Sequence, residues 1–148
     1  MKKHIIKLKR LKACQEAIDY ANGFETLQDA WNACERGDWM LWLVGKQSGK
    51  PGSKKRKLLV LTACKCARLS LKYVAKGENR PLKAIETAEG WARGENTLDE
   101  VMSAASAANA ASVASTSYAA YAAAAASSAK KDTLKKCANI VRKNYPKI

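Results

Sequence analysis

Residues 103–129 constrain the fold more than any other part of the chain, because they contain fifteen alanines in twenty-seven positions and no charged side chain. Alanine is the strongest helix former, and small side chains allow neighbouring helix axes to approach closely. Thr97 and Glu100, just before the segment, have the spacing of a capping box. We therefore predict a long central helix over residues 98–127, enclosed by bulkier Trp, Leu and Tyr side chains. We expect it to be continuous, with a bend near Asn109 as the alternative.

The same segment is long enough to cross a bilayer, but it consists mostly of Ala and Ser. These side chains contribute little transfer free energy into lipid, so we predict no membrane span. We expect no signal sequence either, because MKKHIIKLKR lacks an apolar stretch of about seven residues.

Helical spacing of apolar residues dominates the remaining chain, and strand-like alternation is nearly absent. Caps and breakers predict the following helices: about Leu8 to Asn22, Thr26 to near Gly37, one or two turns capped by Asp38, about Lys54 to Lys76, Pro81 to Gly94, the alanine-rich helix, and a last helix from Asp132 or Thr133 to just before Pro146. The sequence thus predicts an all-α, single-domain bundle of seven or eight helices over residues 1–148.

Two pairs of segments recur at an offset of 71 residues, namely ETLQDA (25–30) with NTLDEV (96–101) and CARLSLKY (66–73) with CANIVRKNY (137–145), the second pair slipping to 72 at its tyrosine. A constant offset indicates an internal repeat. One interpretation is therefore a two-fold repeat with halves at about 13–76 and 80–145. The alternative is a bundle without a repeat.

Positive charge is concentrated in three parts of the chain. The formal net charge of +14 divides into +6 for residues 1–12, −5 for 13–44, +11 for 45–83, −4 for 84–129 and +6 for 130–148. Residues 1–12 are a basic N-terminal segment, and the glycines and proline of residues 45–53 predict a flexible basic loop. Such blocks are typical of solvated faces, but they also attract acidic proteins or a phosphate backbone.

The side chains that could perform chemistry are few. Five cysteines in a chain without an export signal favour reduced thiols in the cytoplasm. Cys64 and Cys66 would face different sides of a helix, so we expect no metal site. His4, the single histidine, has no evident catalytic partner, and the carboxylate pair Glu86 and Glu89 is typical of a solvated helix face. We therefore predict a protein that is not an enzyme, with no catalytic residue, metal or cofactor.

Four stretches form a specific set, namely AWNACERGDWMLWLVGK, KLLVLTACKCARLSLKYV, RPLKAIETAEGWARGENTLDEV and the alanine run. Through them, over roughly residues 12–145, the chain resembles Imm-5-like immunity proteins of bacteria and their phages. The resemblance implies a small helical protein that binds and neutralises a cognate toxin, and it supplies no catalytic residues. Inhibitors of nucleases are commonly acidic, whereas this chain is basic, so we expect a target with an acidic surface. Because relatives occur in phages, a component of a bacterial defence system is another expected target.

Our main hypothesis is a helical inhibitor that binds an acidic protein partner through a basic surface. The alternative is a nucleic-acid-associated protein that uses the same charges on the phosphate backbone. For the tryptophans, packing against the alanine-rich helix is a second interpretation. The residues predicted to bind the partner are Lys46, Lys50, Lys54, Lys55, Arg56, Lys57, Trp39 and Trp42.

Overall fold

The structure is a computed structural model, and it describes the backbone of residues 1–114 and 116–148 and the side chains of residues 1–107 and 130–148. Within these ranges the fold is all-α, as predicted, and contains no strand. None of the described helices is both long and apolar enough to cross a membrane. The α-helices are α1 (Lys3–Arg10), α2 (Gln15–Asn22), α3 (Leu27–Ala33), α4 (Gly37–Gln47), α5 (Lys54–Arg68), α6 (Arg80–Arg93), α7 (Leu98–Ala114) and α8 (Thr116–Asn144), and a short 3-10 helix (Leu71–Tyr73) follows α5.

The first predicted helix, about Leu8 to Asn22, is two helices. Lys12 adopts a left-handed backbone conformation, with a φ of 62°. The amides of Lys12 and Ala13 donate back to carbonyls of α1, which is the Schellman arrangement that ends a helix. His4 is buried, with its Nε2 3.1 Å from the Ala21 carbonyl oxygen of α2. The contact between the two helices favours this break over a continuous helix.

Two capping boxes begin helices where the sequence predicts them. The Asp29 amide donates to Thr26 Oγ1 at 3.1 Å, and the Thr26 amide donates to the Asp29 carboxylate at 3.2 Å. At α7, the Glu100 amide donates to Thr97 Oγ1 at 3.2 Å, and the Thr97 amide donates to the Glu100 carboxylate at 2.7 Å. Each box satisfies two backbone amides at a helix start. The boxes lie 71 positions apart, but the internal repeat as a whole stays a prediction.

Helix α4 differs from the prediction at both ends. Asp38 lies in its first turn and is not the N-cap, which is Arg36. Arg36 donates to the Asp38 carboxylate from Nε at 2.8 Å and from Nη2 at 2.6 Å. This carboxylate is therefore paired with a guanidinium. The helix also continues to Gln47, three residues into the segment predicted as a loop.

Helix α5 begins at Lys54 as predicted, but it ends at Arg68 and not at Lys76. The chain then tightens into the 3-10 helix and reaches α6, which packs against α5. Arg68 Nη2 lies 2.7 Å from a carboxylate oxygen of Glu89 on α6. The early end of α5 leaves room for the turn that joins these two helices.

The alanine-rich segment is shared between α7 and α8. Asn109 lies within α7, so the helix is not interrupted at that residue. Continuity through Ser115 lies outside the described residues. Helix α8 continues through Asp132 and Thr133, so the predicted start of a separate last helix is wrong. No glycine or proline interrupts residues 116–144, and alanine favours the helix throughout.

The described part of the alanine-rich segment is more exposed than predicted. Met102 is 61% exposed, and Ser103, Ala105, Ser106 and Ala107 are also exposed. The predicted enclosure by neighbouring helices is therefore wrong for the exposed residues among 102–107. The side chains of residues 108–129 lie outside the described part. Helix α7 packs mainly along α6. Because alanine favours the helical backbone without burial, contact on one side is sufficient.

The core forms where the C-terminal half of α8 packs against α4 and α5. Ala138 and Val141 are fully buried, and Cys137 is nearly so. These residues belong to one apolar cluster with Trp31 and Met40, to which helices α1 to α5 all contribute. The far end of the chain therefore joins the helices of the N-terminal third.

Hydrogen bonds fasten α8 to the end of α3. Arg142 Nη1 donates to the carbonyl oxygens of Trp31 at 2.7 Å and Cys34 at 3.0 Å. Trp31 Nε1 in turn donates to the Tyr145 carbonyl at 2.9 Å. A cation near a helix C-terminus satisfies free carbonyls and complements the helix dipole. These contacts fix α3 and α4 relative to α8.

Gly37→Ala is expected to lower the free energy of unfolding by about 1–3 kcal/mol, the usual cost of overpacking. A Cβ at Gly37 would lie 2.5 Å from Cys137 Sγ and 2.7 Å from the Ala138 amide nitrogen. Gly45→Ala, in the same helix, is the matched control, since its Cβ would meet Leu59 at an ordinary 3.7 Å. We expect the free energy of unfolding of that variant to rise by about 0.5–1 kcal/mol. Equilibrium urea denaturation measures both, and equal effects would contradict the close packing of α4 and α8.

Candidate partner-binding surface

One face of α4 carries Trp39, Trp42 and Lys46, whose spacings of three and four residues place them above one another. Lys46 Nζ lies 5.5 Å from the ring centroid of Trp42. Arg36 Cζ lies 4.2 Å from the ring of Trp39. Both tryptophans are half-buried and pack against the core on one side. Because cations are attracted to the faces of aromatic rings, this helix face joins apolar surface to positive charge.

The basic segment, which we define as residues 46–57, contains the six cations predicted to bind the partner. Lys46 lies in the last turn of α4, Lys50 lies in the connection, and the other four form the first turn of α5. Arg56 and Lys57 are half-buried, whereas Lys46, Lys50, Lys54 and Lys55 are exposed. The structure therefore presents four exposed lysines close together along the chain.

Arg56 has a structural role that the sequence does not reveal. Its Nη2 donates to the Gly49 carbonyl at 3.0 Å, and its amide donates to Ser53 Oγ at 3.2 Å. Ser53 Oγ donates to the Ser48 carbonyl at 3.1 Å, and Ser48 Oγ donates to the Val44 carbonyl at 2.6 Å. These bonds tie the connection between α4 and α5 to both helices and so hold the lysines on a defined path.

Many of the described acidic side chains form ion pairs within the molecule. The ion pairs of the described residues are Lys2–Glu25, Arg36–Glu16, Arg36–Asp38, Arg68–Glu89, Arg80–Glu78, Arg93–Glu95 and Lys135–Glu35. None of these pairs involves the basic segment. The first turn of α5 also contains no acidic residue, although a helix N-terminus carries partial positive charge. The positive charge of the basic segment is therefore unopposed by any described carboxylate.

A cavity of about 430 Å³ lies between the end of α1 and helices α2, α3 and α4. We call it the apolar cavity. Its walls include Ala17 and Tyr20 from α2, Leu27 from α3, and Trp39 and Trp42 from α4. The ring centroids of Tyr20 and Trp39 are 5.8 Å apart. The apolar cavity and the basic segment are thus joined by one face of α4.

Lys12, Asp38 and the cysteines Cys14 and Cys34 also line the apolar cavity. The hydrogen bonds from Arg36 hold the pKa of Asp38 below its ordinary value, so this carboxylate remains ionised and paired. Cys14 is exposed, whereas the other four cysteines are buried. Among the described residues, Lys12 is the one non-glycine residue with a positive φ. A strained backbone of this kind is often associated with a functional role.

Glu89 and the pair Cys64 and Cys66, which the sequence singled out for acid–base or metal chemistry, contact other helices of the molecule. Within the described residues, no three His, Cys, Asp or Glu side chains cluster as metal ligands would. Arg68 holds the pKa of Glu89 below its ordinary value, whereas a general acid near neutral pH needs a raised one. Cys64 Sγ lies 3.8 Å from the Ile85 carbonyl oxygen and Cys66 Sγ 3.8 Å from that of Cys137. The two thiols thus point to different helices, as their spacing predicts.

The sequence predicted that the tryptophans and lysines bind a partner, which stays a prediction, and it gave no prediction of the apolar cavity. Ala13, Ala17 and Ala21 all line it and are spaced four residues apart. This row of alanines, together with the nearby Trp39 and Trp42, was the sequence feature that could have predicted the cavity. Lys12 gave no signal, because its backbone conformation depends on how α1 and α2 pack.

A model of the family described as "Imm-5 like putative immunity protein" matches residues 49–145. No curated protein and no solved structure matches the chain.

Lys12→Gly is expected to raise the free energy of unfolding by about 0.5–1 kcal/mol, because glycine adopts a positive φ without the penalty of a Cβ. Lys9→Gly, inside α1, is the control, and we expect it to lower the free energy of unfolding by about 1 kcal/mol. Urea denaturation of both variants tests the expectation. A Lys12→Gly protein less stable than the parent would contradict the left-handed conformation at this position.

Proposed function

We propose that this chain, which belongs to the Imm-5 like putative immunity protein family, binds a protein partner and neutralises it without catalysis. An immunity protein acts by occupying a surface that its target needs, so the function requires an interface and no reacting groups. The partner in this proposal is a toxin with an acidic surface. For a relative carried by a phage, a component of a bacterial defence system is an equivalent target.

The unopposed charge of the basic segment is the observation that carries this proposal. Lys46, Lys50, Lys54 and Lys55 are exposed, and the described carboxylates form their ion pairs elsewhere. Fixed positive charge on a surface accelerates the encounter with an acidic partner and suppresses contact with basic ones. The tie between Arg56 and Gly49 supports a preformed interface, which lowers the entropy cost of binding.

The tryptophans of α4 are the second part of the proposed interface. Charge gives speed and selectivity, but most binding energy at interfaces comes from a few buried aromatic and arginine side chains. Trp39 and Trp42 are half-buried and lie beside cations, so a partner can bury their remaining surface. We place the encounter in the cytoplasm, since reduced, buried thiols suit a reducing compartment.

Association with nucleic acid is the second candidate function. The observation that favours it is the first turn of α5, where four cations surround a helix N-terminus, a place where phosphate oxygens bind readily. Against it, the tryptophan rings on α4 already face Arg36 and Lys46, so they do not form a free platform for stacked bases. We therefore keep the protein partner as the main proposal.

Lys50→Glu, Lys54→Glu and Lys55→Glu, combined in one variant, are expected to reduce the amount of partner captured at least about tenfold, because the charges that steer association are reversed. Arg56 is left intact because it holds the connection. The control variant combines Lys65→Glu, Lys76→Glu and Lys83→Glu, which are also exposed and change the net charge equally. Both variants are used as bait in a lysate of the cells that contain the protein, and recovered proteins are quantified by mass spectrometry at two salt concentrations. Equal loss of partner in the two variants would contradict a localised interface.

A gel shift with a random-sequence DNA duplex at low salt separates the two candidate functions. We expect no retained complex. Retention that falls steeply with added salt and disappears in the Lys50, Lys54 and Lys55 variant would favour nucleic acid, because such binding depends on phosphate contacts and ignores sequence.

A further inference from the structure

We infer that the apolar cavity receives one large apolar side chain of the partner, and that acidic residues follow this anchor in the partner's chain. This inference rests on the proposed function and names the chemistry of the partner. It commits the apolar cavity to a segment of another protein, in preference to a small molecule or a second copy of this chain.

The apolar cavity is large enough to receive an aromatic or branched side chain, and its walls are mainly apolar. Pockets of about 300–1,000 Å³ hold small ligands and are lined mainly by apolar and aromatic groups with few polar ones. The apolar cavity measures about 430 Å³. Tyr20 uses its hydroxyl internally, donating to the Ala30 carbonyl at 3.2 Å, so its ring offers an apolar surface. An anchor in a pocket of this kind is the usual source of interface affinity.

The charges around the apolar cavity favour an acidic partner segment. Asp38 and Glu16 both pair with the same Arg36, at 2.6 and 3.9 Å, so this guanidinium offsets one of their two negative charges. Lys12 lines the cavity without an ion pair among the described residues. Lys46 is exposed at the opposite end of the α4 face. An approaching chain therefore meets uncompensated positive charge at two places near the cavity.

Lys12 supports a binding role because its position is costly for a lysine. A residue at the left-handed position after a helix is usually glycine, which avoids the steric penalty. A lysine there gives up stability and places a flexible cation beside the apolar cavity. Binding of an anionic group by Lys12 is a physical reason for a lysine at this position in spite of the loss of stability.

The apolar cavity is formed by residues of the N-terminal third of the chain. All its lining residues lie between Leu8 and Leu43, whereas the family model matches residues 49–145. The cavity therefore belongs to the part of the chain that the family model does not cover. The basic segment lies at the junction of the two parts.

The geometry of α4 sets the spacing expected in the partner. Trp39 and Lys46 are seven residues apart on α4, or about 10 Å along the helix axis. An extended chain rises about 3.3 Å per residue, so about three residues span this distance. The expected partner motif is thus an aromatic or branched apolar residue with acidic residues from one to three positions beyond it.

Two synthetic peptides test the inference directly, Ac-Phe-Glu-Glu-Glu-NH2 and Ac-Ala-Glu-Glu-Glu-NH2. We expect the Phe peptide to bind at least about tenfold more tightly, since only its side chain fills the apolar cavity. Cys14 is exposed and lines the cavity, so a bound Phe peptide should slow its reaction with a thiol reagent such as DTNB. Amide shifts in an NMR titration locate the site. Equal binding of the two peptides, or shifts away from α2 and α4, would overturn the inference.

Ala17→Leu places a larger apolar side chain in the apolar cavity and is expected to reduce the preference for the Phe peptide while leaving Tm equal or higher. Ala67→Leu, at an exposed position of α5, is the matched control and should keep the preference. Lys12→Gly should weaken the binding of both peptides, because it removes a positive charge and leaves the cavity volume unchanged. A Phe preference that is unchanged in Ala17→Leu would overturn the inference. So would a dimer of the parent that Ala17→Leu dissociates, because the occupant would then be a second copy.

The two proposals can fail separately. If Ala17→Leu captures the partner normally while reversal of Lys50, Lys54 and Lys55 prevents capture, the inference about the cavity is wrong and the proposed function stands. If charge reversal has no effect on capture, the proposed function through the basic segment is wrong, whichever peptide binds.

Discussion

The close approach of α8 to the start of α4 is the contact on which the rest of the structure depends. Gly37 leaves no side chain between the two helices, so Cys137 and Ala138 pack directly against the α4 backbone. Arg142 then satisfies carbonyls at the end of α3. Apolar contact brings the ends of the chain together, and hydrogen bonds fix their orientation, because buried carbonyls without partners would cost free energy. With α3 and α4 held in this way, α1 and α2 complete the same core.

This arrangement determines what the molecule presents to a partner. One side of α4 is occupied by the core through Met40, Leu43 and Val44, so Trp39, Trp42 and Lys46 occupy a different side of the helix. The tied connection after Gln47 then carries the lysines from α4 to the start of α5. The apolar cavity and the basic segment are therefore adjacent because of where α8 packs, although they are contributed by different helices.

Features that depend on a few neighbouring residues could be predicted well from the sequence. The capping boxes at Thr26 and Thr97, the start of α5 and the end of α6 at Gly94 are all of this kind. Predictions failed where distant contacts decide. The break at Lys12 depends on the contact of α1 with α2, and the early end of α5 depends on the turn into α6. The exposure of Met102 reflects the one-sided packing of α7 on α6, which alanine content alone does not reveal.

The sequence by itself determined that the chain is helical, where several helices begin, and that its charge is strongly positive and unevenly distributed. These properties follow from local backbone preferences and from composition, which do not depend on distant parts of the chain. Only the tertiary structure decided which cations remain unopposed, which one shapes the connection, and where a cavity forms. Such properties depend on which side chains meet across helices, and residues far apart in the sequence meet only after the core has packed.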